Sequence, residues 1–327
     1  KSLYLIRHNL SNEANKPQYD FVLDEFIKIE ERLKTKFDIT NIILNKKKKI
    51  KIKSNIKKNK FIRNINIAKS YIKNGDIFQV VPSQRFEVNY DGGGTPLYRV
   101  LRRTNPSPFM YYFNLQNFQI VGSSPEILVR LRSKKITVRP IAGTRPRGKN
   151  KIQDKKNEIE LLADKKEVSE HLMLLDLGRN DVGKVAKKGS VKVTAKFIIE
   201  RYSHVMHIVS NVIGKIKSDI SPISALMAGF PAGTVSGAPK IRAMQIIDEL
   251  ENEERGIYSG GIGYISSSGD MDTCIVIRTG IIKKNKLYVQ AGGGIVYDSV
   301  PENEYTETVN KAKAVINAAS IVLGNKT

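Results

Sequence analysis

The sequence predicts an α+β domain built on large antiparallel sheets rather than a doubly wound α/β fold. Between residues 77 and 143, five β-rich runs follow one another closely, the texture of an antiparallel meander. Helical patterns come in groups instead of alternating one for one with strands, as parallel βαβ units require. No internal repeat or clean linker interrupts the 327 residues, and a hydrophobic content of 40% is ample for a buried core.

Taken in order, residues 19–34 (YDFVLDEFIKIEERLK) space apolar side chains for an amphipathic helix. Residues 40–44 read as a short strand, the lysine-rich 46–60 as an exposed hairpin or loop, and 61–74 as a helix stopped at Asn74-Gly75. Strand patterns then occupy 77–88, 109–115, 118–124, 126–132 and 136–143. A helical block at 154–178 precedes strands in VKVTAKF and HVMHIVSNVIGKI and helices at 221–229 and 238–251. Strands at 259–267, 272–283 and 286–290 lead to a closing helix from about 301 to 321.

The formal net charge of +23 is the strongest compositional signal, and alone it favours a catalytically inactive, basic polyanion-binding protein. The excess sits early: residues 1–75 hold 19 Lys/Arg against 7 Asp/Glu. Those lysines lie among Asn and Ile, with no aromatic platform, zinc-ligand spacing or helix-turn-helix pattern, so they read as a solvated surface. Neither a nucleic-acid nor a membrane partner is expected. No run approaches 18 apolar residues, the first ten residues lack a secretory core, and the single cysteine cannot form an internal disulfide, which together predict a cytoplasmic chain. Cys274, in DTCIVIRTG, reads as a packed thiol.

Two helices carry acid pairs at i,i+3: Glu167 with Glu170, and Glu304 with Glu307. Two such faces meeting across a cleft would suit Mg²⁺, which takes one or two carboxylates along with water and substrate oxygens. The same spacing also describes an ordinary solvated helix face. The glycines of AGGGIV (291–296) either let backbone N–H groups approach an anion or form a bulge, while DGGG (91–94) suits an exposed turn. GTVSGAPK (233–240) and GGIGYI (260–265) lack the spacing of nucleotide loops. Arg278, within an apolar run, and Lys240 each need an anion, either an internal acid or a ligand carboxylate. Arg145 and Arg147 flank a proline and read as surface or hinge residues. His204 and His207 have no cysteine partners for zinc.

Several strings in order resemble the chorismate-utilising enzymes, in particular the anthranilate synthase large-subunit branch. They are GDIFQVVPSQR (75–85), GSSPEILVR (122–130), RPIAGTRPRG (139–148), ELLADKKEVSEHLMLLDLGRNDVGKV (160–185), YSHVMHIVSNVIG (202–214), FPAGTVSGAPKIRAMQIIDELE (230–251), YSGGIGYI (258–265) and QAGGGIVYDSVPENEYTET (290–308). The series makes 61–327 a chorismate-binding catalytic domain. Residues 1–60 are a divergent segment without the family's tryptophan-sensing serine motif, and, with Lys rather than Met at position 1, a truncated N-terminus is the expectation.

The resemblance implies two large antiparallel sheets packed as a sandwich, helices outside and an active-site cleft between them. It implies Mg²⁺ on Glu170 and Glu307, supported by Glu167 and Glu304, holding the ring carboxylate of chorismate. Tyr258, Arg278, Gly293 and Gly294 match positions that hold the enolpyruvyl carboxylate. Gly143, Thr144 and Thr234 line the ring-carboxylate side, and Lys240 is a further candidate for an anion. Glu126 matches the general acid for the C4 hydroxyl, and His207 the histidine beside the C2 proton; His204 is structural. Water-adding members carry a lysine base where this chain has Gln79, and members making 4-amino-4-deoxychorismate often carry a lysine where it has Ala142. An ammonia-using, anthranilate-forming enzyme is implied over an aminodeoxychorismate synthase. It would work in a hetero-oligomer with a glutamine amidotransferase subunit that supplies the ammonia.

Overall fold

The computed structural model describes residues 4–7, 16–35, 42–202 and 205–325. They fall into two units, Lys1–Ile42 and Ile43–Thr327. The first holds helix α1 (Lys16–Lys34), where Glu30 and Lys34 pair at 2.7 Å one turn apart.

The second unit opens with irregular, largely exposed chain at 46–52, then β1 (Lys53–Ser54), α2 (Lys58–Lys73), β2 (Gln79–Val80), β3 (Ser83–Asn89) and α3 (Gly94–Thr104). Next come β4 (Phe109–Asn114), β5 (Gln119–Ser124), β6 (Ile127–Arg132), β7 (Lys135–Val138) and β8 (Ile141–Pro146). Helices α4 (Lys151–Ala163) and α5 (Lys165–Val185) precede the long hairpin of β9 (Lys192–Arg201) and β10 (Val205–Lys215). Helix α6 (Pro222–Gly229), a 3₁₀ turn (Gly233–Val235), β11 (Gly237–Ala238) and α7 (Lys240–Leu250) follow. The chain then runs through β12 (Gly261–Ile265), β13 (Met271–Ile275), β14 (Thr279–Lys283), β15 (Lys286–Gly292) and α8 (Pro301–Gly324).

All strand pairs are antiparallel. One six-stranded sheet runs β1-β3-β15-β14-β5-β4, and a seven-stranded sheet runs β12-β13-β6-β7-β10-β8 with β9 on β10. Helices α3 and α8 lie against the first, α5 and α6 against the second. The chain passes from one sheet to the other at Pro125-Glu126, between β5 and β6, and returns at Val276–Arg278, between β13 and β14. These crossovers are bonded together: Ile275 N donates to the Glu126 carbonyl at 3.0 Å, and Ser123 N to the Arg278 carbonyl at 3.2 Å.

Several expectations are corrected. The run 136–143 is two strands, because Pro140 has no N–H to continue a ladder. The run 272–283 breaks where the chain changes sheets, with Arg278 at a left-handed φ of 49°. The block 154–178 is two helices parted by Asp164, whose carboxylate caps α5 by accepting from Lys166 N and Glu167 N. At 42–44 the chain is irregular rather than a strand; residues 40 and 41 lie outside those described. Helix α3 had not been assigned, although Leu97, Val100 and Leu101 give it a buried face. Among the described residues, no helix is long and apolar enough to cross a membrane.

Behind the seven-stranded sheet, Ile136 on β7 is fully buried in one cluster with Val182 and Val185 of α5 and Val212 of β10. Truncation there leaves a cavity in a wall held by both sheet and helix. Ile136→Ala is expected to cost about 2–5 kcal/mol, measured as a fall in the free energy of urea unfolding.

Candidate active site

The two crossovers place a carboxyl, Glu126, and a guanidinium, Arg278, at the seam between the sheets. Glu126 is 8% exposed. Burial pushes its carboxyl up to about 7, against the lowering influence of Thr234, Arg278 and Lys311. Thr234 acts from nearby without a normal hydrogen bond: its Oγ1 is buried and has no partner among the described residues. Burial lowers the proton affinity of Arg278, while Glu126 and Tyr202 partly restore it. Of the alternatives open for this arginine, an internal ion pair is not found among the described residues. Its guanidinium remains able to bind a ligand carboxylate.

Lys311 was not anticipated. It stands one turn after Glu307 on α8, pairs with it at 2.7 Å, and donates to the Gly292 carbonyl at 3.0 Å. Burial lowers its proton affinity, but Glu307 and Tyr258 together leave it raised on balance. Some 45% of its side-chain surface still reaches water. Its only sequence signal was an i,i+4 Glu–Lys pair, the commonest pattern of a solvated helix.

His207 is set by a bulge. Opposite it on β8, the register with β10 slips between Thr144 and Ala142, so Gly143 is the extra residue. Gly143 has a φ of 72°, which a side chain would strain. The bulge brings the Gly143 carbonyl and Thr144 Oγ1 each to 3.0 Å from His207 Nδ1. A carbonyl can only accept, so Nδ1 carries the proton and Nε2 keeps its lone pair. Burial lowers the His207 pKa, favouring this neutral form, and Tyr202 packs edge-on at 5.5 Å. His204 lies outside the described residues.

The acids form another wall. Burial, then the charge of Glu167, raises the Glu170 pKa, with Glu307 adding to it. Burial and Glu307 likewise raise Glu304. Gln79 Nε2 donates to Glu170 Oε1 at 2.9 Å, while the buried Gln79 Oε1 has no partner among the described residues. Gly293 and Gly294 cover these groups. A Cβ on Gly294 would stand 2.6 Å from Gln79 Nε2, and one on Gly293 would stand 3.6 Å from Glu304 Oε2. Behind the wall, His171 Nε2 meets Ser210 Oγ at 2.7 Å, tying α5 beside Glu170 to β10 near His207.

Among the described residues, no three acids, imidazoles or thiols form a ready-made metal cage. Glu167 is paired with Arg145 at 3.2 Å and Glu307 with Lys311. The donor chemistry nonetheless fits a hard dication: Glu170 and Glu304 are raised by burial and by the charge of neighbouring acids, no thiol is among them, and Mg²⁺ draws part of its shell from water and substrate.

Tyr258 lies beside Gly292 and within electrostatic reach of Lys311. Lys240 takes the internal alternative, pairing with buried Asp181 at 2.9 Å. Arg145 and Arg147 are structural clamps rather than free surface groups, holding Asp164 and Asp154 at 2.6 Å and 2.8 Å.

The family model for chorismate binding enzyme matches residues 8–317. Anthranilate synthase component 1 of Cereibacter sphaeroides is 65% identical over 252 residues, 77% of this chain and 50% of that protein. Its Acinetobacter calcoaceticus counterpart is 49% identical over 326 residues, 98% of this chain and 65% of that one. The solved structure of anthranilate synthase component I from Streptococcus pneumoniae TIGR4 superposes with a TM-score of 0.85 at 43% identity, covering 95% of this chain and 68% of that chain. The chain thus spans about half to two-thirds of the length of these curated relatives.

The burial of Glu126 gives a pH dependence of defined sign. The folded chain holds its proton more tightly than an unfolded one, where the carboxyl titrates near 4.5, so stability falls as pH rises from there through about 7. Relative to Glu126→Gln, the wild type is expected to lose about 3 kcal/mol across that window. Urea denaturation of both proteins at each end measures it, and a constant difference would show that the carboxyl is not held protonated.

Proposed function

The chain belongs to the chorismate binding enzyme family, and from that premise we propose that it converts chorismate and ammonia to anthranilate and pyruvate. The observation that carries the proposal is one pair of groups: Glu126 with its carboxyl at about 7, and His207 with its proton on Nδ1 and a lone pair on Nε2. The first can give a proton at neutral pH and the second can take one.

Glu126 protonates the C4 hydroxyl, which leaves as water while the nitrogen of ammonia bonds to C2. His207 Nε2 then takes the C2 proton. The C2–H electrons form the aromatic ring as the C3–O bond breaks, the enolate of pyruvate leaves with that bond's electrons and takes up a proton at its methylene carbon, and the new C2 ammonium gives up one proton to become the amine. Arg278 and Tyr258, with the glycines after β15, hold the enolpyruvyl carboxylate, and Lys311 adds positive charge to that wall. Gly143, Thr144 and Thr234 bound the other side of the ring.

Mg²⁺, when bound, would supply positive charge to the ring carboxylate. Glu170 and Glu307 would hold it, with Glu167 and Glu304 beside them. Gln79 cannot act as a base, since its amide does not titrate and is engaged with Glu170, which favours ammonia over water as nucleophile. The ammonia comes from glutamine through a partner amidotransferase subunit in a hetero-oligomer, consistent with the component 1 naming of the relatives.

Purified protein given chorismate, Mg²⁺ and ammonium is expected to produce blue-fluorescent anthranilate. Accumulation of an amino-chorismate that retains its pyruvyl group would instead mean an aminodeoxychorismate synthase. Glu126→Gln is expected to lower kcat by about 10²–10⁴ while chorismate still binds; unchanged turnover would remove Glu126 as the acid. Wild-type kcat should fall on the alkaline side as Glu126 loses its proton near 7. Glu170→Gln should abolish the response to Mg²⁺, which calorimetric titration of the metal checks independently of turnover.

A further inference from the structure

Arg255, between α7 and β12, commits all five of its N–H donors to protein acceptors. Nη1 donates to the Val235 carbonyl at 2.7 Å and to Ser259 Oγ at 2.9 Å. Nη2 donates to the Val81 carbonyl at 2.6 Å and to Glu251 Oε1 at 2.6 Å. Nε donates to Glu251 Oε2 at 3.0 Å. The guanidinium also faces the Tyr258 ring, 5.4 Å from its centroid. Its anionic partner is shared: Glu251 Oε1 accepts from Ser83 N at 2.7 Å and Ser83 Oγ at 2.9 Å. The Arg255 and Glu251 side chains are only 15% and 9% exposed.

Each anchored segment carries a residue of the site. Val81 lies two positions after Gln79, which holds Glu170; Val235 follows Thr234; Ser259 follows Tyr258. Ser259 has a left-handed φ of 68°, a strained conformation for a non-glycine residue, and Arg255 holds its hydroxyl. The three segments are far apart in sequence, so their spacing depends on whatever joins them. A planar fork directed at two carbonyls, a hydroxyl and a carboxylate fixes distance and orientation together. A lysine ammonium, with three donors on one atom, cannot reproduce it.

We infer that Arg255 is a positioning residue, fixing the relative placement of Gln79, Thr234 and Tyr258 on different sides of the site, through two carbonyls and a hydroxyl of their chain neighbours, without touching substrate. The inference rests on the proposed chorismate reaction, since that reading gives these residues their ligand.

The test compares wild type with Arg255→Lys, which keeps the charge beside Glu251 but loses the fork. Chorismate affinity is measured by calorimetry with Mg²⁺ present, kcat and KM by anthranilate fluorescence with ammonium, and the folded fraction by circular dichroism. Arg255→Lys is expected to weaken chorismate binding and raise KM by roughly 10- to 100-fold at full folded fraction. A merely structural role would lower kcat in proportion to the folded fraction and leave KM and affinity unchanged, and that result overturns the inference. Should Arg255→Lys fail to fold, Glu251→Gln carries the test. It leaves the guanidinium in place but loosens its orientation, and is expected to raise KM by about threefold; an unchanged KM overturns the inference.

The two proposals fail differently. Wild type that binds chorismate without forming anthranilate sinks the reaction but leaves the positioning role to be judged from binding. Wild type that does not bind chorismate overturns both. Active wild type with an unperturbed Arg255→Lys overturns this inference alone.

Discussion

The chain crosses between its two sheets twice, side by side, and the rest of the site depends on those crossings being bonded to each other. Main-chain bonds from Ile275 to Glu126 and from Ser123 to Arg278 lock the seam. A carboxyl and a guanidinium end up on adjacent turns of chain, in a place neither would reach from the middle of a strand. Strand interiors point side chains into a core or out to water, whereas a crossover can aim one along the gap between two sheets. The left-handed backbone at Arg278 reflects that turn.

Around this seam the charges are left unresolved in a way a purely structural core would avoid. Arg278 has no ion-pair partner among the described residues, Glu126 is driven toward its neutral form, and the raised carboxyls of Glu170 and Glu304 repel nearby acids. Buried groups left this way destabilise the fold. Bound together, a dicarboxylate and a dication would answer both sides at once: the ligand's anions toward Arg278 and Lys311, the cation toward the glutamates. That complementarity links the electrostatics to the proposed substrate.

Much of this was legible in the sequence because it is local. Period-two apolar runs marked the strands, and i,i+3 acids marked the faces of α5 and α8. The departures have specific causes. Pro140 and Asp164 break patterns that looked continuous, one by lacking an N–H and the other by capping. For Lys240 the sequence left open an internal acid or a ligand carboxylate, and Asp181 meets it from a helix 59 positions earlier in the chain. Lys311 passed unnoticed because a lysine one turn after a glutamate is usual on a wet helix, and only the neighbouring Gly292 carbonyl distinguishes it.

By itself the sequence determined the fold class, the family resemblance and the chemical identity of the candidate groups: acids, cations and glycines in a defined order. Only the tertiary structure decided which side chains are paired and which are left without an ion pair among the described residues, and which nitrogen of His207 bears the proton. It also decided how far burial lifts Glu126 from an ordinary carboxylate. Residue type and periodicity are local properties of the chain, whereas solvation, ion pairing and proton position depend on atoms brought close from distant positions. For the acids that first marked this region, spacing could say that they share a face; only the closed sheets say what that face meets.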